Sequence, residues 1–453
     1  MKTPLFATCA ALCIATSGNL AMADNAVAPQ TASDNQPGSD ARIKWWRDAR
    51  FGMFLHYGLY AIPGKGEWAE WNEPIPPEEY AKLAGEFTAE HFDAKAIAQL
   101  AKDSGAKYVV LTSRHHDGFC LFDDKGNDYT TVKTAAKRDL IAEYVKAVRD
   151  AGLKVGIYYS PLDWRYPGYF MPDFYTDSSR AMRAQYQRQM DELIHNYGPI
   201  DIFWFDGGEQ DWLSFGGDWK GIDHVCRPQG EHFKGKFNWG HAEVYAKLQQ
   251  FQPRALLNTR ADMPEDFKNR EGDKAMGDYD DSYAWELCTT IAGAWGYELG
   301  VQPKSLRKCI ELLTGAAGRD GNLLLNVGPR PDGTIDPEQA ARMREIGAWL
   351  GKYGESIYCT RGGPYLPASY GVSTRRGNVV YIHILAWPDG DVVLPKLPAK
   401  VVKSGVLTGG AVRVTQNADS LTISMDAKDR DALDTIVVLE LDAPVVGVIP
   451  AGK

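Results

Sequence analysis

The chain has no excess of positive charge. Its 50 Lys and Arg are outnumbered by 59 Asp and Glu, the formal net charge is −9, and neither sign forms a run. A polyanion such as nucleic acid, or an anionic membrane surface, therefore finds no basic patch here. No apolar stretch reaches the ~20 residues a membrane-spanning helix needs. Cysteine is sparse, with seven in 453 residues, and Cys9 and Cys13 lie in the first 23. The other five (Cys120, Cys226, Cys288, Cys309 and Cys359) are odd in number and far apart. They show neither the spacing of a zinc site nor a disulfide framework, and read as buried thiols. No metal or cofactor is implied.

The N-terminus has the pattern of a secretory signal. Lys2 supplies the positive start, Leu5 to Thr16 is mostly apolar or small, and Ala21-Met22-Ala23 fits the small-x-small cleavage rule. Residues 1–23 are expected to be removed, leaving an exported, periplasmic or extracellular protein. Residues 24–40 are rich in Ser, Asn, Gln and Pro and read as a disordered leader. From residue 41 to 358 short apolar runs alternate with helical patterns. The runs begin near Gly52, Lys107, Lys154, Ile200, Ala255, Trp285 and Asn322; the helical patterns include 92–103, 139–151, 178–196, 241–251, 304–315 and 337–352. Such alternation is the signature of a parallel sheet, and this many units favour a (β/α)8-like TIM barrel, although only seven strands are visible. Residues 359–453 change to short alternating strands between Gly, Pro and Asp turns, as in a small antiparallel β-sandwich.

Residues 198–208, GPIDIFWFDGG, organise the rest. An apolar run closes on Asp206 and two glycines. An Asp there can simply cap the next helix. It can also present a carboxylate at the open end of a barrel, where the strand C-termini carry the chemistry. Other runs also end in reactive side chains: His56, His115, His116, Tyr158 or Tyr159, Trp204 and Arg260, with Glu67, Trp68, Glu70 and Trp71 in the loop after the first strand. A barrel would bring this set to one rim. The 13 Trp and 22 Tyr offer faces for the apolar side of a sugar ring. Imidazoles and an Arg can bind hydroxyls, and glycoside hydrolysis needs two carboxyl groups. A metal site from His56, one of His115 or His116, and Asp206 is the rival arrangement. Adjacent histidines on a strand point to opposite faces, so the pair is not expected to chelate one ion together.

Seven segments, RFGMFLHYGLYAIP, EWAEWN, SRHHDGFCLFD, GLKVGIYYSPLDW, IDIFWFDGG, WELCTTIAGAWGY and GRDGNLLLNVGPRPDGTI, resemble glycoside hydrolase family 29, the retaining α-L-fucosidases. The resemblance spans about residues 45–335, and the C-terminal sandwich is similar to that family's. It implies an exo-acting α-L-fucosidase working on fucosylated oligosaccharides or glycoconjugates without a cofactor. It implies Asp206 as nucleophile, kept anionic by neighbouring His and Arg, and His56, Glu70, Trp71, His115, His116, Tyr159, Trp204 and Arg260 as sugar-binding residues. The family's Thr-Pro-Glu-Gln segment is replaced by Pro264-Glu-Asp-Phe-Lys-Asn-Arg-Glu271-Gly, which places Glu271 as acid/base, with Glu265, Asp273 and Glu286 as competitors. Of these, Glu286 is expected to support the rim by hydrogen bonds. The altered loop also allows a fucose-binding protein that has lost its acid/base; a metal-dependent hydrolase is the third reading. Nothing in the sequence signals an oligomeric state.

Overall fold

The computed structural model describes residues 40–209, 235–258 and 260–450. The signal, nearly all of the leader, and Cys226 lie outside the described residues. Eight parallel strands form one sheet: β1 (Phe51–Leu55), β2 (Tyr108–Arg114), β3 (Lys154–Tyr159), β4 (Ile202–Phe205), β5 (Leu256–Leu257), β6 (Lys268–Glu271), β7 (Trp285–Thr290) and β8 (Asn322–Val327). They are ordered β5-β4-β3-β2-β1-β8-β7-β6, so chain order runs around the sheet. The two edges meet at a parallel bridge between Asn258 and Phe267. Helices Ala94–Asp103, Leu140–Asp150, Thr176–Asn196, His241–Phe251, Leu306–Gly318 and Pro337–Tyr353 accompany the strands. Asp93, Asp139, Ser305 and Asp336 fix four of the helix starts by accepting backbone N–H bonds. None of the described helices is long and apolar enough to cross a membrane.

The eighth strand, β6, lies in what reads in sequence as a polar loop. Its residues, Lys-Asn-Arg-Glu, are exposed or half-exposed. Among the described residues, no helix separates it from β5, and only a single 3-10 turn, Asp273–Met276, separates it from β7. The outward side chains of β6 are Lys268, which is exposed, and Arg270, which donates to the carbonyl of Met276 at 2.6 Å, so the strand needs no apolar run and leaves no hydrophobic trace.

The pleat divides the core in two. Met53, Val109, Ile157, Phe203, Leu257 and Leu325 pack outward under the helices. Phe54, Val110, Tyr158, Ile202, Trp204, Leu256 and Leu324 pack inside the barrel, together with Ile43 and Trp46 of helix Asp40–Ala49. Trp46 stacks on Phe267 at 4.7 Å between ring centroids. Gly52 makes room for the inward Tyr108 ring, which a Cβ at this position would meet at 2.4 Å.

Beyond the barrel, antiparallel sheets of five and three strands enclose a second core containing Ile382, Leu394, Leu421 and Leu439. Asp320, just before β8, ties the two parts together. Its buried carboxylate accepts from Arg50 at 2.6 Å, from the backbone N–H of Gly362 at 3.0 Å, and from Arg361. Asp320→Asn keeps a residue type that tolerates the local φ of 74° but leaves the buried Arg50 without its counter-charge. A loss of about 3–5 kcal/mol is expected, read as a lower urea midpoint; an unchanged midpoint would refute this role.

Candidate active site

Strand parity decides which side chains reach the rim. Gly52 and Phe54 face the interior, and the next position in phase is His56, whose Nδ1 lies 2.8 Å from Oδ1 of Asn326 on β8. On β4 the inward series Ile202, Trp204 continues to Asp206. Beyond β5, Leu256 leads to Asn258 and Arg260. On β6, Phe267 leads to Asn269 and Glu271. His56, Trp204, Asp206, Arg260 and Glu271 line one small cavity of about 60 Å³.

Asp206 is the most heavily engaged of these groups. Tyr158 donates its hydroxyl to Oδ2 at 2.8 Å, and Arg260 donates to Oδ1 at 2.9 Å. The second terminal nitrogen of Arg260 donates to Glu271. One guanidinium thus spans two carboxyl groups. The Asp206 side chain is 13% exposed and that of Glu271 42%, so one sits on the floor and the other at the mouth.

The β2–β3 register shifts between Thr112 and Arg114, and the chain leaves the sheet before the histidine pair. His115 and His116 therefore escape strand alternation. Both line the cavity, with ring centroids 4.2 Å apart, which corrects the expectation that they point to opposite faces. Together with Asp206 they offer ligand atoms within 4.8 Å of one another. Arg260 already holds a positive charge against that carboxylate, and Nδ1 of His116 is 2.7 Å from the Ser160 hydroxyl. The set is a poorer metal centre than its residue types imply. Burial pushes His56 down to about 4, His116 to about 3, and His115 well below its ordinary value. The imidazoles are neutral near pH 7. They serve as hydrogen-bonding groups, and the positive partner of Asp206 is Arg260, not a histidine.

Two sequence assignments change. Tyr159 points outward, where its hydroxyl donates to Gln189 at 2.7 Å; the tyrosine against Asp206 is Tyr158. The reason is the pleat, since Tyr158 pairs with Trp204 and shares its inward phase. Of the repeated Glu-Trp pairs, the first lines the cavity. Glu67 and Trp68 are at its wall, whereas Glu70 and Trp71 are not among the lining residues. Trp71 packs on Trp164 and Phe170. Glu70 is buried with neither oxygen hydrogen-bonded by a described residue, and burial raises its pKa well above the ordinary range. Both sit on the short turn Ala69–Asn72, which carries them past the rim.

Phe54 and Trp295, which sequence reasoning missed, complete the apolar wall. Parity points to Phe54, two residues before His56. Trp295 carries no periodic signal. The loops bearing Glu67 and Trp295 are laced together: Glu67 accepts from the N–H of Gly296 at 2.8 Å, Gly66 donates to Tyr297 at 3.1 Å, and Leu299 donates to Gly64 at 2.9 Å.

The competing carboxyl groups lie elsewhere. Glu265 borders a hollow on the underside of the barrel, beside Lys44 and Asp48. Asp273 accepts from Thr289 at 2.6 Å and pairs with Lys304 and Lys308. Glu286 is wholly buried inside the barrel, accepting from Trp204 at 3.1 Å, from Asn269 at 3.3 Å, and from Tyr108. It lies beneath the cavity rather than at its rim. Wider hollows, such as one beside Arg138 and Lys146, open to solvent among salt-bridged side chains and hold no comparable convergent set.

Residues 18–355 match the family described as Alpha-L-fucosidase. The chain belongs to the alpha-L-fucosidase family. It is 30% identical over 389 residues to the plasma alpha-L-fucosidase of Pongo abelii, covering 76% of each chain. It superposes on alpha-L-fucosidase isoenzyme 1 from Paenibacillus thiaminolyticus with a TM-score of 0.75 and 32% identity, covering 89% of this chain and 99% of that one. A family 29 alpha-L-fucosidase from Bacteroides thetaiotaomicron gives a TM-score of 0.77 at 27% identity, with 90% and 98% covered. This member of the fucosidase family is a glycoside hydrolase, and its substrates are fucosylated glycans.

Two expectations follow for this fucosidase. Tyr158→Phe removes a hydrogen bond to a charged group, a loss of about 1.5–3 kcal/mol, so kcat/KM on an aryl α-L-fucoside should fall about ten- to a hundredfold. Tyr159→Phe should leave kcat/KM unchanged and cost about 1 kcal/mol of stability; the reverse pattern would restore the outward tyrosine to the site. For Glu286, burial pushes the pKa up to about 7 from an ordinary 4.5. The folded protein keeps this proton over a range where the unfolded chain has lost it. Its contribution to stability is complete below about pH 4.5 and is lost by about pH 7, at about 1.4 kcal/mol per pH unit. The stability of wild type minus that of Glu286→Gln should therefore fall across this window and then level off. Urea midpoints at three pH values check it, and a constant difference would show an ionised Glu286.

Proposed function

We propose that this fucosidase removes terminal α-L-fucosyl residues with retention of configuration, Asp206 being the nucleophile and Glu271 the acid/base. An oxygen of Asp206 attacks the anomeric carbon as the bond to the leaving oxygen breaks, and Glu271 gives that oxygen its proton. Water then attacks the fucosyl-enzyme while Glu271 takes the proton back, releasing fucose and free Asp206.

The observation that carries this reading is Arg260, bonded through one nitrogen to each carboxyl group. Groups sharing one guanidinium stand a few ångströms apart, and retaining pairs stand about 5–5.5 Å apart, too close for an inverting enzyme to place water between sugar and base. Exposure supports the division of labour. The nearly buried Asp206 has the polarity of a fixed nucleophile, and the open Glu271 can meet both the departing group and incoming water. The Bacteroides thetaiotaomicron fucosidase has been trapped as a covalent intermediate in complex with 2-fluoro-fucosyl fluoride. That protein therefore passes through a covalent intermediate, which supports the same course here.

The neutral imidazoles of His56, His115 and His116 suit the sugar hydroxyls, and Phe54, Trp204 and Trp295 offer apolar faces to the ring and its C6 methyl. One methyl is worth only about 1–3 kcal/mol of discrimination, so slow cleavage of the galactose analogue fits this site. Export belongs to the same proposal, supported by the charged start, apolar run and Ala21-Met22-Ala23 of the N-terminus. Proton NMR of the first-formed sugar tests the mechanism: α-fucose appearing before mutarotation is expected, and β-fucose appearing first would overturn the assignment of Asp206 as nucleophile.

A further inference from the structure

The barrel has one weak seam. Among the described residues, β5 and β6 meet at a single bridge, Asn258–Phe267, while every other neighbouring pair of the barrel has at least two residue pairs in register. No helix covers β6. Yet Asp206 projects from the strand on the far side of β5, and Glu271 ends β6, so the distance between the two carboxyl groups is set across this seam.

Beyond the backbone N–H groups of Asp266 and Phe267, which donate to the Leu257 carbonyl at 2.7 and 3.3 Å, side chains reinforce the seam. The β4–β5 ladder stops at Phe203–Leu257. One step further, the Asn258 side chain takes over. Its Oδ1 accepts from the N–H of Phe205 and its Nδ2 donates to the carbonyl of the same residue, both at 2.8 Å. Phe205 is the residue immediately before Asp206. Nδ2 of Asn258 also donates to Oδ1 of Asn269 at 2.7 Å, crossing the seam. Asn269 in turn donates to Glu286 at 3.3 Å, which is anchored by Trp204 and Tyr108. Asn269 shares a face of β6 with Glu271, two residues away. A continuous chain of amide hydrogen bonds therefore joins the backbone that presents one carboxyl group to the strand that presents the other.

We infer that Asn258 and Asn269 are positioning residues whose mutual hydrogen bond sets Glu271 at working distance from Asp206. The inference rests on Glu271 being the proton donor. Carboxamides suit the task because each donates and accepts at once without burying a charge. The bond is partly buried, with Asn258 itself enclosed, where an unpaired amide is costly and a paired one holds its geometry.

Loss of position differs from loss of stability in its dependence on the leaving group. A misplaced acid matters for a poor leaving group and hardly at all for one that departs unaided. The experiment compares kcat and KM for 4-nitrophenyl and unsubstituted phenyl α-L-fucoside. Asn269→Ala should leave kcat/KM on the nitrophenyl substrate within about threefold and lower kcat/KM on the phenyl substrate by tenfold or more, because kcat/KM reports only the step in which Glu271 acts as acid. An unfolded fraction lowers both rates equally, so their ratio reports position alone. Asn258→Ser is the second variant and should move the ratio in the same direction. In a Glu271→Gln background, which should itself show a leaving-group effect of about 10²–10⁴-fold, adding Asn269→Ala should change the ratio no further. If both asparagine variants lower the two substrates by one common factor, the asparagines only stabilise the barrel and the inference falls. If Glu271→Gln shows no leaving-group dependence, the acid/base assignment falls, and the inference with it, by a separate result.

Discussion

Side chains alternate along a strand, and in a closed parallel sheet that alternation decides which residues can meet. Every second position of eight strands faces a common interior, and the last inward position of each arrives at the same rim. His56, Tyr158, Asp206, Arg260 and Glu271 come from widely separated parts of the chain, yet each continues the inward series of its strand, Arg260 and Glu271 one step beyond an inward asparagine. The helices outside and helix Asp40–Ala49 beneath hold the strands in this phase. A one-residue slip in a helix-covered strand would exchange its rim residue for one buried under a helix, as the contrast between Tyr158 and Tyr159 shows.

Burial then determines the electrical character of what has been brought together. The three imidazoles lose their charge because the cavity wall gives it little solvation, while Arg260 keeps its own by pairing with both carboxyl groups. Glu286 accepts three hydrogen bonds beneath the cavity and holds its proton to about pH 7. The three imidazoles thus add no charge to the cavity, where Arg260 is paired with the carboxyl groups of Asp206 and Glu271. At low effective dielectric, a charge developing on the sugar would feel these few groups strongly.

Much of this is legible in the sequence. Apolar runs mark seven strands because both faces of those strands are covered, and their ends point to Asp206, Trp204 and Arg260. Where legibility fails, the cause is local. β6 carries the charged Lys268 and Arg270 on its outer face and leaves no apolar run, although Glu271 can be located by its resemblance to a family segment. Tyr158 is recoverable from its phase with Trp204 once strand parity is applied to the tyrosine doublet. The same rule misleads for the histidine pair, because a register shift ends the alternation just before it. The choice between Glu67-Trp68 and Glu70-Trp71 has no periodic signal, because it depends on how a long loop turns.

The lacing of the loops after β1 and β7 separates two properties of this enzyme in the chain. The chemistry is written at the strand ends, in residues whose direction the sheet dictates. The entrance is written in two loops more than two hundred positions apart, joined through Glu67 and Gly296 and through the backbones of Gly64, Gly66, Tyr297 and Leu299. Neither loop can be lengthened or replaced alone without breaking its contacts to the other. Exchange of the entrance between relatives therefore has to be made as a matched pair, and such a graft would change which glycans are admitted while the machinery that cuts them stays the same.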